Sequence, residues 1–238
     1  MPADRPFLLI HGGLHGGWCW DGTIAALAAR NRRAVTFDLP GHGADQTPRA
    51  NVGITDYVSR AVDALERLDG PATVVCHSMG GLVGTALADA RPDRVAALIY
   101  VAAVVPDDGD SLSADEPGVS HVVDRSEAEY FFYHDCDPVE SQAASLKLTP
   151  QPVRPLIEPV RLAQERLRRV PKAYIRCLKD RVLSQERQRF YAERHSGTLD
   201  TAIDTGHSPF LAKRDELVTL LLELEATLSS GDPGFKAL

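Results

Sequence analysis

Residues Val74 to Gly81 read VVCHSMGG, a β-branched run that passes directly into a helix-like one with a serine at the turn. The spacing is of the GxSxG type, with Cys76 where the first glycine is usual. It describes a nucleophile elbow, a strained turn that holds the Ser78 hydroxyl out at the end of a strand. Large neighbours would collide with the adjoining strand and helix, and Cys76, Gly80 and Gly81 are all small. A serine hydroxyl is a weak nucleophile near neutral pH, so it needs a base within hydrogen-bond reach and an acid to orient that base.

Eight histidines compete for the role of base. His207, in DTGHSPF, lies between the last strand-like run and the last helical one, at the carboxyl ends of the strands, where open α/β sheets place their ligands. The others have plainer readings. His11 and His15 flank a glycine turn, His42 sits in a turn, His77 is fixed beside the serine, and His121, His134 and His195 read as insertion or surface residues. The acid belongs on a loop after another strand, between serine and histidine in chain order. Asp180 in YIRCLKD fits, three residues after Cys177 and 27 before His207. Asp107 is the alternative acid, whereas Asp204 stands too close to His207 along the chain to orient it.

The fourth component is a pair of donors for the negative oxygen that forms when a carbonyl is attacked. HGGLHGGW, from His11 to Trp18, lets backbone N–H groups face the site without Cβ obstruction. The expected donors are the N–H groups of Gly13 and Met79, and losing one such donor typically costs about 3 kcal/mol of transition-state stabilisation. HGGLHGG does not fit the GxGxxG spacing of a dinucleotide turn, and no P-loop is present. Cys19, Cys76, Cys136 and Cys177 are scattered singly without metal-ligand spacing, which predicts free thiols and no zinc. No cofactor is expected.

These residues need a scaffold that brings distant segments to one edge. Short aliphatic runs at Phe7 to Ile10, Ala34 to Phe37, Ala72 to Cys76, Val95 to Val101, Ala173 to Cys177 and Thr198 to Ile203 alternate with helical patterns, predicting an α/β fold with about six mostly parallel strands and helices on both faces. The clearest helix has Ile54, Tyr57, Val58, Ala61, Val62, Leu65 and Leu68 on one face and stops at Asp69-Gly70-Pro71. Trp18 to Arg30, Met79 to Ala90, Ser184 to Arg194 and Pro209 to Leu228 are the other expected helices. Residues 107–170 break the alternation with Ser-rich, acidic, aromatic and proline-rich stretches. They read as a helical lid inserted into a core of residues 1–106 and 171–238. Phe131, Phe132 and Tyr133 would supply aromatic walls, and Trp18 or Trp20 the base of the pocket.

The 238 residues carry 44% apolar and 25% charged side chains and a net charge of −7, in the soluble globular range and unsuited to nucleic acid or an anionic membrane. No apolar run reaches the roughly 18 to 20 residues of a membrane span. No secretory signal is read at the start, so a cytoplasmic monomer or homodimer acting on a small molecule is expected. The 21 Arg against 5 Lys point to a bacterial source.

HGGLHGGWCW, VTFDLPGHG, CHSMGG, VAAVVPDDGDS, AYIRCLKDRVLSQERQ and DTGHSPF together resemble, in the same order and over nearly the whole chain, the α/β-hydrolase superfamily. Within it they are similar to the plant methylesterase and hydroxynitrile lyase family and its bacterial esterase relatives. The resemblance implies the same triad of Ser78, Asp180 and His207 with Gly13 and Met79 as oxyanion donors. Lyases of the rubber-tree type carry a threonine in the first-strand turn and a lysine after the catalytic histidine; this chain has Gly12 and Ser208 there, which by that comparison implies space for an ester carbonyl and no cation for departing cyanide. The expectation is therefore a serine esterase. The rivals are a lyase using His207 as base on carbon, and a ligand receptor on a hydrolase scaffold.

Overall fold

The computed structural model describes residues 5–112 and 124–230. The reading of His121 and part of the expected lid lie outside these residues. Six strands form one sheet: β1 (Phe7–Ile10), β2 (Ala34–Thr36), β3 (Ala72–His77), β4 (Val95–Val101), β5 (Lys172–Cys177) and β6 (Leu199–Ile203). They lie in the order β2-β1-β3-β4-β5-β6, and every adjacent pair is parallel.

Strands buried on both faces are apolar at consecutive positions, and the period of two then divides their side chains between two cores. Leu8, Ile10, Val74, Cys76, Leu98 and Tyr174 face one core. There they meet α2 (Ile54–Glu66) and α3 (Gly80–Ala90) through Tyr57, Leu65, Val83 and Leu87. Phe7, Leu9, Val75, Ile99 and Ile175 face the other, under α1 (Asp21–Ala28) and the helices that follow β6.

Between β4 and β5 the described chain forms α4 (Arg125–Phe131), α5 (Pro138–Ser145) and α6 (Arg154–Ile157). Their starts are written locally. Asp124 accepts the Glu127 N–H while Glu127 reciprocates at the Asp124 N–H, and Asp137 accepts the N–H groups of Val139 and Glu140 ahead of Pro138. Leu14, Ala128, Phe132, Tyr133 and Ala144 form a small third core beneath this segment.

After β5 comes α7 (Gln185–Arg194). The single helix expected from Pro209 to Leu228 is two, α8 (Pro209–Ala212) and α9 (Arg214–Ser230), because Lys213 at φ −142 leaves the helical region. The break lets Phe210 turn onto Trp20 and His77 while Leu217, Leu221 and Leu224 cover the sheet.

Candidate active site

In an all-parallel sheet the carboxyl ends of the strands share one edge, and four loops converge there. Ser78 follows β3 directly, Asp180 follows β5, His207 follows β6, and Gly12 and Gly13 follow β1. Ser78 sits at φ 52, in the left-handed region that an L residue occupies only when its surroundings impose it. The turn is pinned from both sides: the Ser78 N–H donates to Val101 O at 3.3 Å, and its carbonyl accepts the N–H groups of Gly81 and Val104, each at 3.0 Å.

The close packing accounts for the small residues. A Cβ on Gly80 would stand 2.6 Å from the carbonyl oxygen of His11, and one on Gly81 would overlap the carbonyl of Val104. Cys76 is tolerated because its buried sulfur faces Gly84 of α3, where even a Cβ would come to 2.8 Å. The departure from the usual motif is thus compensated one helical turn further on.

His207 is 1% exposed. Its Nε2 lies 3.0 Å from Ser78 Oγ and its Nδ1 lies 2.8 Å from Asp180 Oδ2. The three residues placed together by their spacing along the chain are therefore brought together in space. Asp180 is held in turn, with Oδ1 accepting the N–H groups of Val182 at 2.7 Å and Leu183 at 3.0 Å, and Oδ2 accepting Gln188 Nε2 at 3.3 Å. The alternative acids are occupied elsewhere: Asp107 pairs with Arg194 at 2.9 Å and Asp204 with Lys179 at 2.8 Å.

His77 is tied to the loop of His207, since its Nε2–H donates to the His207 carbonyl at 2.8 Å. Burial, together with the neighbouring His207 and His15, holds the His77 imidazole well below the ordinary histidine range, so it stays neutral. Gly12 packs against this pair, and a Cβ there would stand 2.9 Å from both Ser78 Cβ and His77 Nδ1. Gly13 lies beside Met79, whose sulfur would be 3.8 Å from a Cβ on Gly13. Among the described residues neither the Gly13 nor the Met79 N–H donates to a protein acceptor.

The expected aromatic lining is only partly realised. The Phe132 ring lies 5.9 Å from that of His207, and Tyr133 is buried with its hydroxyl on His15 Nε2 at 2.8 Å. Phe131 is not brought to the site. It is 39% exposed and packs edge-on against Tyr130 at the end of α4, whereas Phe132 and Tyr133, which follow the helix, are buried against His15. Trp20 is fully buried in the core against Phe210 and His77 rather than under a pocket. Trp18 stacks on His15 at 5.5 Å, with Lys147 over its ring. It lines a groove of about 330 Å³ with Asp38, Gly43, Ala44 and Lys147, none of them part of the Ser78 relay.

The sequence reading missed the residues that brace these loops. Asp135 accepts the Gly206 N–H at 2.5 Å, and a Cβ on Gly206 would stand 2.6 Å from the His134 ring, so His134 and Asp135 clasp the loop that carries His207. Gln151 reaches the glycine turn from the far end of the same insertion. The signal available was modest: polar residues in a stretch otherwise built to cover apolar surface.

Among the described residues no group of His, Cys, Asp and Glu is arranged to hold a metal ion. No helix there is long and apolar enough to cross a membrane.

The family model described as alpha/beta hydrolase family matches residues 7–220. Methylesterase 7 of Arabidopsis thaliana is 26% identical over 250 residues, spanning 93% of this chain and 96% of that protein. A carbendazim hydrolyzing esterase of Nocardioides sp. (strain SG-4G) is 38% identical over 111 residues, 45% of this chain and 46% of its own. The crystal structure of a pyrethroid hydrolase from Sphingobium faniae JZ-2 superposes with a TM-score of 0.82 at 26% identity, over 93% of this chain and 97% of that one. A methylesterase structure from Arabidopsis gives a TM-score of 0.84 at 24% identity, over 93% and 99%, a likeness of fold. With the parallel sheet, the elbow and this match over most of its length, the chain belongs to the alpha/beta hydrolase family.

Proposed function

We propose that this carboxylic ester hydrolase works through an acyl-enzyme on Ser78, with His207 as base and Asp180 as its orienting acid. The observation that carries the reading is the continuous relay from Asp180 through His207 to Ser78, at 2.8 and 3.0 Å, on a serine held at φ 52. As Ser78 Oγ adds to the ester carbonyl, its proton passes to His207 Nε2 and the carbonyl π pair moves onto oxygen. The Gly13 and Met79 N–H groups receive that charge. Collapse expels the alkoxide, which takes the proton from His207. Water then repeats the sequence on the acyl-serine, releasing the acid and regenerating Ser78. Asp180 fixes the imidazole tautomer and stabilises its transient positive charge.

One feature favours hydrolysis over lyase chemistry: Ser208, next to the base, is fully buried and places no cation there to receive a departing anion. Residues 107–170 act as the lid, with Phe132 over the base as an apolar wall. The substrate class is a small apolar or aromatic ester, a methyl ester or a lactone. Methylesterases and ester-cleaving hydrolases among the similar proteins support this range.

The test is a panel of p-nitrophenyl, methyl, aromatic and lactone esters against wild type and Ser78→Ala, with fluorophosphonate labelling. Expected are turnover, a pre-steady-state burst and labelling in wild type only. Turnover that survives Ser78→Ala would overturn the reading.

A further inference from the structure

The loop after β1 has little to hold it by its own sequence. It carries glycines at 12, 13, 16 and 17, and Leu14 sits at φ 65, a conformation that is unfavourable without outside support. Yet three consecutive peptide units are each fixed. The Gly12 carbonyl accepts His11 Nδ1–H at 2.8 Å. In the next unit the Gly13 carbonyl accepts His15 Nδ1–H at 2.8 Å, and the Leu14 N–H donates to Gln151 Oε1 at 3.1 Å. The Leu14 carbonyl then accepts the Thr149 N–H at 2.8 Å.

Two of these units are held from the insertion between β4 and β5. Gln151 is itself oriented, because its amide donates to Tyr57 Oη at 3.2 Å and to the Pro152 carbonyl at 3.0 Å. His15 is oriented by Tyr133. With Nδ1–H committed to Gly13, Nε2 carries the lone pair, and the Tyr133 hydroxyl donates to it at 2.8 Å. Tyr133 is 2% exposed and Gln151 is 4% exposed, so neither bond competes with water.

We propose that Tyr133, acting through His15, and Gln151 are positioning residues that aim the Gly13 N–H at the developing oxyanion, so the insertion sets the geometry of the oxyanion hole as well as roofing the site. Neither side chain needs to touch substrate. This rests on the serine esterase reading, with Gly13 as donor. Loss of either bond lets the strained loop relax and turns the N–H away from the position the oxygen takes only in the transition state. Binding of the ground-state ester is then little altered.

The experiment compares wild type, Tyr133→Phe, Gln151→Met and Ser78→Ala on p-nitrophenyl butyrate, with inhibition by an alkyl trifluoromethyl ketone. The ketone carbon takes up Ser78 Oγ, the proton moves to His207, and the carbonyl oxygen becomes an oxyanion in the same hole. Tyr133→Phe and Gln151→Met are each expected to lower kcat by about tenfold, leave KM within about twofold, and weaken the ketone by the factor lost from kcat, a fraction of what removing a whole donor costs. Tyr133→Phe keeps the ring and so the packing, which protects the test from misfolding. If that variant keeps kcat within about twofold of wild type, or loses kcat with ketone inhibition unchanged, the positioning proposal is overturned. Turnover that persists in Ser78→Ala overturns the esterase reading beneath it instead.

Discussion

The site has two halves built on different principles. Ser78, Asp180 and His207 stand just past the ends of β3, β5 and β6, where the register of a parallel sheet sets their separation. Phe132, Tyr133, Asp135 and Gln151 come from an irregular stretch of short helices and reach the same place one side chain at a time, Phe132 by ring packing and the others by single hydrogen bonds. A sheet edge tolerates no partial displacement, because moving one strand end breaks a whole ladder. A side-chain brace can be altered one bond at a time. Under the proposed function, chemistry that must be all or none resides on the sheet, and tuning resides on the insertion.

Ser78→Ala should break the sheet half outright, lowering kcat by about 10⁴ to 10⁶ while thermal unfolding stays near wild type; a modest loss would mean the relay is not the engine. Asp180→Asn should come next, at about 10⁴ in kcat, since the amide favours the wrong imidazole tautomer. Gly12→Ala places a Cβ 2.9 Å from Ser78 Cβ and His77 Nδ1, and kcat/KM should fall by about 10² for small and bulky esters alike through misplacement of the reacting atoms. Steady-state rates on a series of esters of rising size would expose an absence of that effect.

The insertion half should respond more gently and one residue at a time. Phe132→Ala is expected to raise KM about tenfold, whereas Phe131→Ala, on the outer side of the last turn of α4, should stay within about twofold. Equal effects at the two positions would contradict the inward and outward assignment.

Acid should reveal the buried histidines that fasten the β1 loop. Burial lowers His11 to about 4 and His15 to about 3, from an ordinary value of 6.5. The unfolded chain then binds protons that the folded one excludes. Their contribution is complete above pH 6.5 and is lost as the pH falls toward those folded values, by up to about 1.4 kcal/mol per pH unit for each histidine. Urea midpoints at pH 7 and pH 5 measure this, and a midpoint that does not move would refute it.

The same division explains what could be read from the chain alone. Strands β1 and β3 were legible because two-sided burial leaves continuous apolar runs, whereas β5 and β6 carry the paired Arg176 and Asp200 and were marked by their remaining β-branched and aliphatic residues. Ser78, His207 and Asp180 were legible because chemistry restricts the residue types and the topology restricts their order. Phe131 and Phe132 could not be told apart without knowing where α4 begins, which the reciprocal bonds of Asp124 and Glu127 decide. Trp20 offered no sign of which way it faces, since a glycine turn allows either side. Asp135 and Gln151 were invisible because their partners are backbone N–H groups 71 and 137 residues away, and a backbone donor leaves no mark on residue type.

The hydrogen bond from His77 to the carbonyl of His207 makes neighbours of two loops that are 130 positions apart. A hydroxyl and an imidazole carried on loops joined in this way drift as one body under thermal agitation, so their mutual aim survives fluctuations of the surrounding scaffold. Heat inactivation should accordingly coincide with cooperative melting of the sheet instead of running ahead of it, and molecules would be either competent or wholly silent, with few of intermediate speed.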